Sequence, residues 1–173
     1  MLVDEGFAVL RIARADSTRS VITCEAGPGR VLLPPVEEEV LFGLVDSRLV
    51  AISDEALEEL LTLPSAARRL LEQMAATLGQ NQEAIGNFVD TRHLERVRRK
   101  LLQLARLYGR VGHDGIRIDF PVSHTVLAEM IGSSRETVTR ALDELQRRRF
   151  VARRGHTYRL LISAEEVLDQ APD

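Results

Sequence analysis

Cysteine is almost absent from this chain, with Cys24 alone among 173 residues. One thiol forms no internal disulfide and holds no metal cluster, which removes disulfide scaffolds and cysteine-ligated iron or zinc from the candidate functions. Cys24 is read as a buried structural residue, with oxidation as a minor alternative. Histidine is also sparse, and His93, His113, His124 and His156 show no metal-ligand spacing; they are read as surface or phosphate-contact groups. No apolar run reaches the length of a membrane span. Met1 to Phe7 carries two acids and no basic segment, so neither insertion nor secretion is expected and the location is predicted to be cytoplasmic. No nucleophile and base pair, metal cluster or phosphate-cradling glycine loop can be assembled, so the chain is not expected to be an enzyme and no cofactor or metal is expected.

An overall positive charge is missing too. The formal net charge is −3, which alone argues against a nucleic-acid partner. The distribution reverses that conclusion. Thr91 to Leu160 holds 16 lysines and arginines against 7 acids, whereas Met1 to Asp90 holds 7 against 15. One part of the chain is built to meet phosphate, and the acidic remainder disfavours other orientations on DNA. With 45% hydrophobic residues a folded core is expected, in one full domain or two small ones.

The basic segment contains the most informative stretch, Pro121 to Arg149. Ser123 can cap a helix in which Val126, Leu127, Met130 and Ile131 fall on one stripe, and Gly132 can end it in the left-handed conformation. Ser133 or Ser134 can cap a second helix. There Glu136 complements the positive end of the dipole, and Val138, Ala141, Leu142 and Leu145 form the inward stripe. Arg135, Glu136, Thr137 and Arg140 are left facing outward. This is the arrangement of a helix-turn-helix, whose second helix offers arginine to guanine edges and glutamate to cytosine in the major groove. An ordinary surface helix with solvated charges is the bland alternative.

These residues resemble the Crp/Fnr family of bacterial transcription regulators. Ser134, Arg135, Glu136, Thr137, Val138 and Arg140 match the S-R-E-T-V-x-R signature of its recognition helix, and Leu127, Ala128, Ile131 and Gly132 match the preceding helix and turn. The resemblance covers roughly the C-terminal two thirds of the chain. It implies a homodimeric activator on a palindrome with a half-site close to TGTGA, Arg135 and Arg140 reading guanines and Glu136 the opposing cytosine. DNA-backbone contacts are then expected from Ser123, His124, Ser134, Thr137, Arg153 and Arg154, with RNA polymerase as a further partner.

Upstream, Phe7 to Ile12, Ser20 to Glu25, Arg30 to Leu33 and Arg48 to Ile52 read as short strands of a small antiparallel sheet. Pro34, Pro35 and Glu37 to Glu39 read as an edge or loop, and Ser53-Asp54-Glu55 opens a helix through Leu61. Family members carry here a longer β-roll that binds a cyclic nucleotide through a Gly-Glu and an Arg-Ser/Thr pair. The stretch LVDSRLVAISDEAL resembles only its last strand and following helix. No Gly-Glu-x-x-Leu element and no Arg-Ser-Ala element occurs upstream of Leu44, and fewer residues precede the long helix than a complete roll needs. Without donors for the cyclic phosphate, no cyclic-nucleotide binding is expected.

From Pro64 to Asp90 the pattern is one long helix. Leu71, Met74, Leu78, Asn81, Ile85 and Phe88 alternate in steps of three and four as a dimer seam, although the same face could pack on its own subunit. The resemblance favours dimerisation. Asp90 or Thr91 can cap a further helix to Tyr108 with Leu94, Val97, Leu101, Leu104 and Tyr108 buried, leaving Arg92, Arg96, Arg98, Arg99 and Lys100 on other faces. Gly109 and Gly112 end that helix, and Ile116, Ile118 and Phe120 alternate as a strand.

Phe150 to Ala152 and Thr157 to Ile162 flank Arg153-Arg154-Gly155-His156 as the hairpin of a winged helix, its arginines at the tip, and Ser163 with Glu166 forms a capping box. The expected fold is α+β: a shortened β-roll-like sensor domain over 1–63, a dimerisation helix over 64–90 and a winged helix-turn-helix over 91–173. Sequence-specific transcription regulation is the expected function, with an architectural DNA-binding protein of low specificity as the alternative.

Overall fold

The computed structural model describes residues 1–13, 20–89, 92–163 and 165–166, and for 80–89 the backbone alone. It is of mixed α+β class and divides into two compact units, Met1–Gly86 and Asn87–Asp173.

In the first unit, β1 (Leu2–Glu5), β2 (Ala8–Ala13), β3 (Ser20–Ala26), β4 (Glu39–Gly43) and β5 (Arg48–Val50) form two antiparallel sheets. β1 pairs with β5, and the other sheet has the order β3-β2-β4. Val3, Ala8, Leu10, Ala26 and Leu32 make the shared core, with Leu41, Leu49 and Cys24 packed against it. Cys24 is therefore partly buried and not fully buried as expected.

Three strand readings are corrected. Arg30 to Leu33 is no strand: only a single bridge joins Val31 to Leu2, although Leu32 fills the core as its apolar character demands. The acidic run contributes the start of β4, which pairs with β2 from Glu39 to Gly43, and β1 was not foreseen. Both escape a local pattern because their partners lie far along the chain; in β4, moreover, Val40 and Phe42 remain exposed.

α1 (Asp54–Thr62) opens as expected, Ser53 Oγ accepting from the Ala56 amide at 3.2 Å. None of its residues is buried. α2 (Pro64–Val89) begins with proline, whose missing amide proton costs nothing in a first turn. Its Gln73 side chain is tied to the turn before Leu32: Oε1 accepts from the Val31 amide at 2.8 Å and Nε2 donates to the Gly29 carbonyl at 3.1 Å. Of the expected seam, Leu71, Met74 and Leu78 are 66%, 40% and 62% exposed. Asn81, Ile85 and Phe88 have side chains outside the described residues.

The second unit contains α3 (His93–Tyr108), β6 (Gly109–Gly112), β7 (Gly115–Ile118), α4 (His124–Ile131), α5 (Arg135–Arg147), β8 (Val151–Arg154) and β9 (Thr157–Leu160). Its sheet has the order β6-β7-β9-β8. The core is built from Val97, Leu101 and Leu104 of α3, Ile116 and Ile118 of β7, the inward stripes of α4 and α5, and Tyr158 and Leu160 of β9. Phe120 lies beyond β7 yet is buried, and the Tyr108 ring meets it edge-on at 5.8 Å.

Here too the structure corrects the sequence. Asp90 and Thr91 lie outside the described residues, and Arg92 stands at the α3 cap position, where its side chain does not cap the helix. Arg96 and Lys100, expected on a solvated face, are each only 7% exposed. Lys100 Nζ donates to Gln103 Oε1 at 2.8 Å, and long aliphatic stems allow such residues to cover apolar surface. Gly109 both ends α3 and starts β6, a strand not foreseen.

Candidate nucleic-acid interface

The α4–α5 joint is set by local chemistry. Ser123 Oγ accepts from the Val126 amide at 3.1 Å to start α4. Gly132 ends it at φ 60° and ψ 43°, a left-handed conformation that a side chain would resist, and the Gly132 and Ser133 amides both donate to the Ala128 carbonyl. Of the two candidate serines, Ser134 caps α5: its Oγ accepts from the Thr137 amide at 3.1 Å and donates to Thr137 Oγ1 at 2.9 Å. Val138, Ala141, Leu142 and Leu145 are buried, as their spacing required.

The opposite face of α5 carries the candidate readers. Arg135, Glu136 and Arg140 are exposed. Thr137 is half-buried, its Oγ1 accepting from Arg140 Nη2 at 3.4 Å. Hydrogen bonds from its own backbone amide and from Ser134, then the nearby Arg135 and Arg140 charges, lower the Glu136 pKa. The carboxyl is thus an ionised acceptor at neutral pH between two cations. Farther along, Glu144 pairs with Arg147 and, at 2.7 Å, with Arg148.

The hairpin differs from expectation in one respect. Arg153 and Arg154 end β8, and Gly155-His156 alone makes the turn, Gly155 at φ 62°. Arg154 is exposed, while the Arg153 guanidinium lies 5.9 Å from the centre of the Tyr158 ring. Burial pushes the Tyr158 hydroxyl up to about 12. The hairpin is anchored to the entry of α4, because the His156 carbonyl accepts from the Val122 amide at 2.7 Å.

His124 is half-buried, with Nδ1 2.7 Å from Thr139 Oγ1 on α5 and Nε2 enclosed. His93 Nδ1 lies 3.2 Å from Ser133 Oγ. Thr139 and the His156 carbonyl carry no signal in a single sequence, since their roles arise only when α4, α5 and the hairpin meet. At the C-terminal side, Ser163 and Glu166 form the expected reciprocal cap at 2.8 and 3.1 Å; the helix beyond it lies outside the described residues. Among the described residues no group of three His, Cys, Asp or Glu could hold a metal, and no helix is long and apolar enough to cross a membrane.

Residues 95–171 match the family described as the Crp-like helix-turn-helix domain. The CRP-like cAMP-activated global transcriptional regulator of Mycobacterium tuberculosis is 28% identical over 126 residues, 72% of this chain and 55% of that protein. The global nitrogen regulator of Synechococcus elongatus is 34% identical over 93 residues, 54% of this chain and 42% of the relative. The chain thus spans about half the length of the curated relatives it matches. Among solved structures, a CooA mutant from Carboxydothermus hydrogenoformans superposes with a TM-score of 0.78 at 16% identity, covering 97% of this chain and 76% of the other. For a CRP-family transcriptional regulator from Thermus thermophilus the TM-score is 0.74 at 20% identity, with 99% and 88% covered. Residues 95–171 thus belong with the Crp-like helix-turn-helix domains, and the chain shares its fold with regulators of the CRP family.

Proposed function

We propose that this chain is a homodimeric, sequence-specific DNA-binding transcription regulator of activator type. In this reading 1–63 is a sensor-like domain, 64–90 the dimerisation helix and 91–173 the DNA reader. The observation that carries it is the outward set Arg135, Glu136 and Arg140 on the first turns of a helix fixed by Gly132 and Ser134. Two such helices related by a two-fold axis fit a palindrome with half-sites about 34 Å apart, one helical turn. The family resemblance points to TGTGA. Ser123, Ser134, Thr137, Arg153 and Arg154 serve the DNA backbone, and His124, with Nε2 enclosed, braces α5 instead.

Selecting bound sequences from random DNA tests the reading: a two-fold symmetric motif is expected, and recovery of no motif would favour an architectural protein. Within that motif, Arg140→Ala is expected to cost about 1 to 3 kcal/mol and relax one base position, whereas Arg154→Ala weakens all sequences alike. Equal losses for both variants on specific and random DNA would count against the assignment.

Operator binding by this chain is proposed to need no cyclic nucleotide, because residues 1–63 contain neither a Gly-Glu-x-x-Leu nor an Arg-Ser-Ala element. Titrating reduced protein onto the selected operator with and without cyclic nucleotides checks this. Tight binding without the nucleotide is expected; a tenfold gain on adding it, about 1.4 kcal/mol of coupling, would overturn the idea.

A further inference from the structure

The joint between α4 and α5 holds a histidine with half of its hydrogen bonding unmet. His124 Nδ1 lies 2.7 Å from Thr139 Oγ1, and that hydroxyl donates to the Arg135 carbonyl at 2.9 Å. The threonine proton is therefore committed, its oxygen accepts, and the imidazole carries its proton on Nδ1. Nε2 remains a buried acceptor with no partner among the described residues.

The groups facing the ring are mostly cationic. Arg135 on α5, Arg153 on β8 and His156 in the hairpin turn oppose a second proton, and Asp143 on α5 favours it. Burial, the largest cause, and then Arg153 and Arg135 hold His124 below the ordinary histidine value, so the free protein carries it neutral at pH 7. Two of those cations, Arg135 and Arg153, are the ones proposed above to meet DNA. Phosphates drawn to this face offset their field at the ring and supply negative charge of their own, which favours a proton on Nε2 without requiring direct contact.

We propose that DNA binding by this chain takes up one solvent proton at His124 Nε2, because phosphates that meet Arg135 and Arg153 offset the positive field at a ring held against the reader helix by its Nδ1 contact with Thr139. This rests on the DNA-reading proposal. The sign follows from linkage: the DNA-bound pKa lies above the free one, so affinity is greatest below both, falls as pH rises between them, and is level above both.

Operator affinity of the full chain, measured from pH 5 to 8 at constant ionic strength, is expected to fall with rising pH by at most about tenfold per unit, the limit for one proton. His124→Gln should flatten the profile, and Thr139→Ser, which keeps the hydroxyl, should preserve it. An unchanged profile in His124→Gln overturns the proposal while leaving DNA reading intact; no sequence-specific binding at any pH overturns the DNA reading itself. If His124→Gln fails to fold, NMR titration of the His124 ring in the parent decides the matter: an upward shift on adding operator is expected, and none overturns it.

Discussion

Leu142→Ala is expected to destabilise the second unit by about 2 to 5 kcal/mol, the range for emptying a fully enclosed leucine site. Leu142 is 0% exposed, and α5, which carries it, packs against α3, α4 and β8. Relaxation of one neighbour into the cavity would open gaps at the others, which places the site toward the costly end. Against a total stability of about 5 to 15 kcal/mol for a domain, such a loss removes a large share. The melting temperature of this unit should drop by roughly 10 °C or more. Leu142→Met, which keeps the volume, should cost less than about 1.5 kcal/mol. Thermal unfolding followed by circular dichroism compares the two, and a loss under about 1 kcal/mol for the alanine variant would show that α5 is not the keystone of its unit.

The second large effect concerns assembly. Leu71 and Leu78 are seven residues apart, hence on one side of α2, and both are mostly exposed in a single chain. Burying each leucine stabilises by about 1.5 to 3 kcal/mol, so four of them across a two-fold seam supply a large part of a stable dimer. Leu71→Lys with Leu78→Lys replaces that gain with facing like charges. The double variant should sediment as a monomer at micromolar concentration and lose tight operator binding while retaining weak half-site affinity. A dimer that persists unchanged would remove the seam from the proposed function.

What could be read in the sequence was the part whose causes are local. Gly132, the serine caps and the stripe Val138, Ala141, Leu142 and Leu145 each act within a few residues, so α4 and α5 were legible almost to their ends. β1 was not, because its register is set by β5 more than forty residues later. β4 hid behind exposed Val40 and Phe42, and the burial of Arg96 and Lys100 depends on what their stems cover rather than on their charge. At the candidate interface, the outward residues followed from periodicity. The contact of His124 with Thr139 did not, since it exists only once two helices have packed.

The Gln73 clamp has a consequence for following motion in solution. The bridge between Leu2 and Val31 directs its backbone bonds through Val3 with Arg30 and through Met1 with Leu32, so the Val31 amide points away from β1. Its partner is a side chain of α2. Hydrogen exchange at this one amide therefore reports whether α2 rests against the turn: slow exchange with the clamp closed, and fast exchange when the helix lifts or Gln73 becomes alanine, while the amide of Leu32 next to it, bonded to Met1, stays protected.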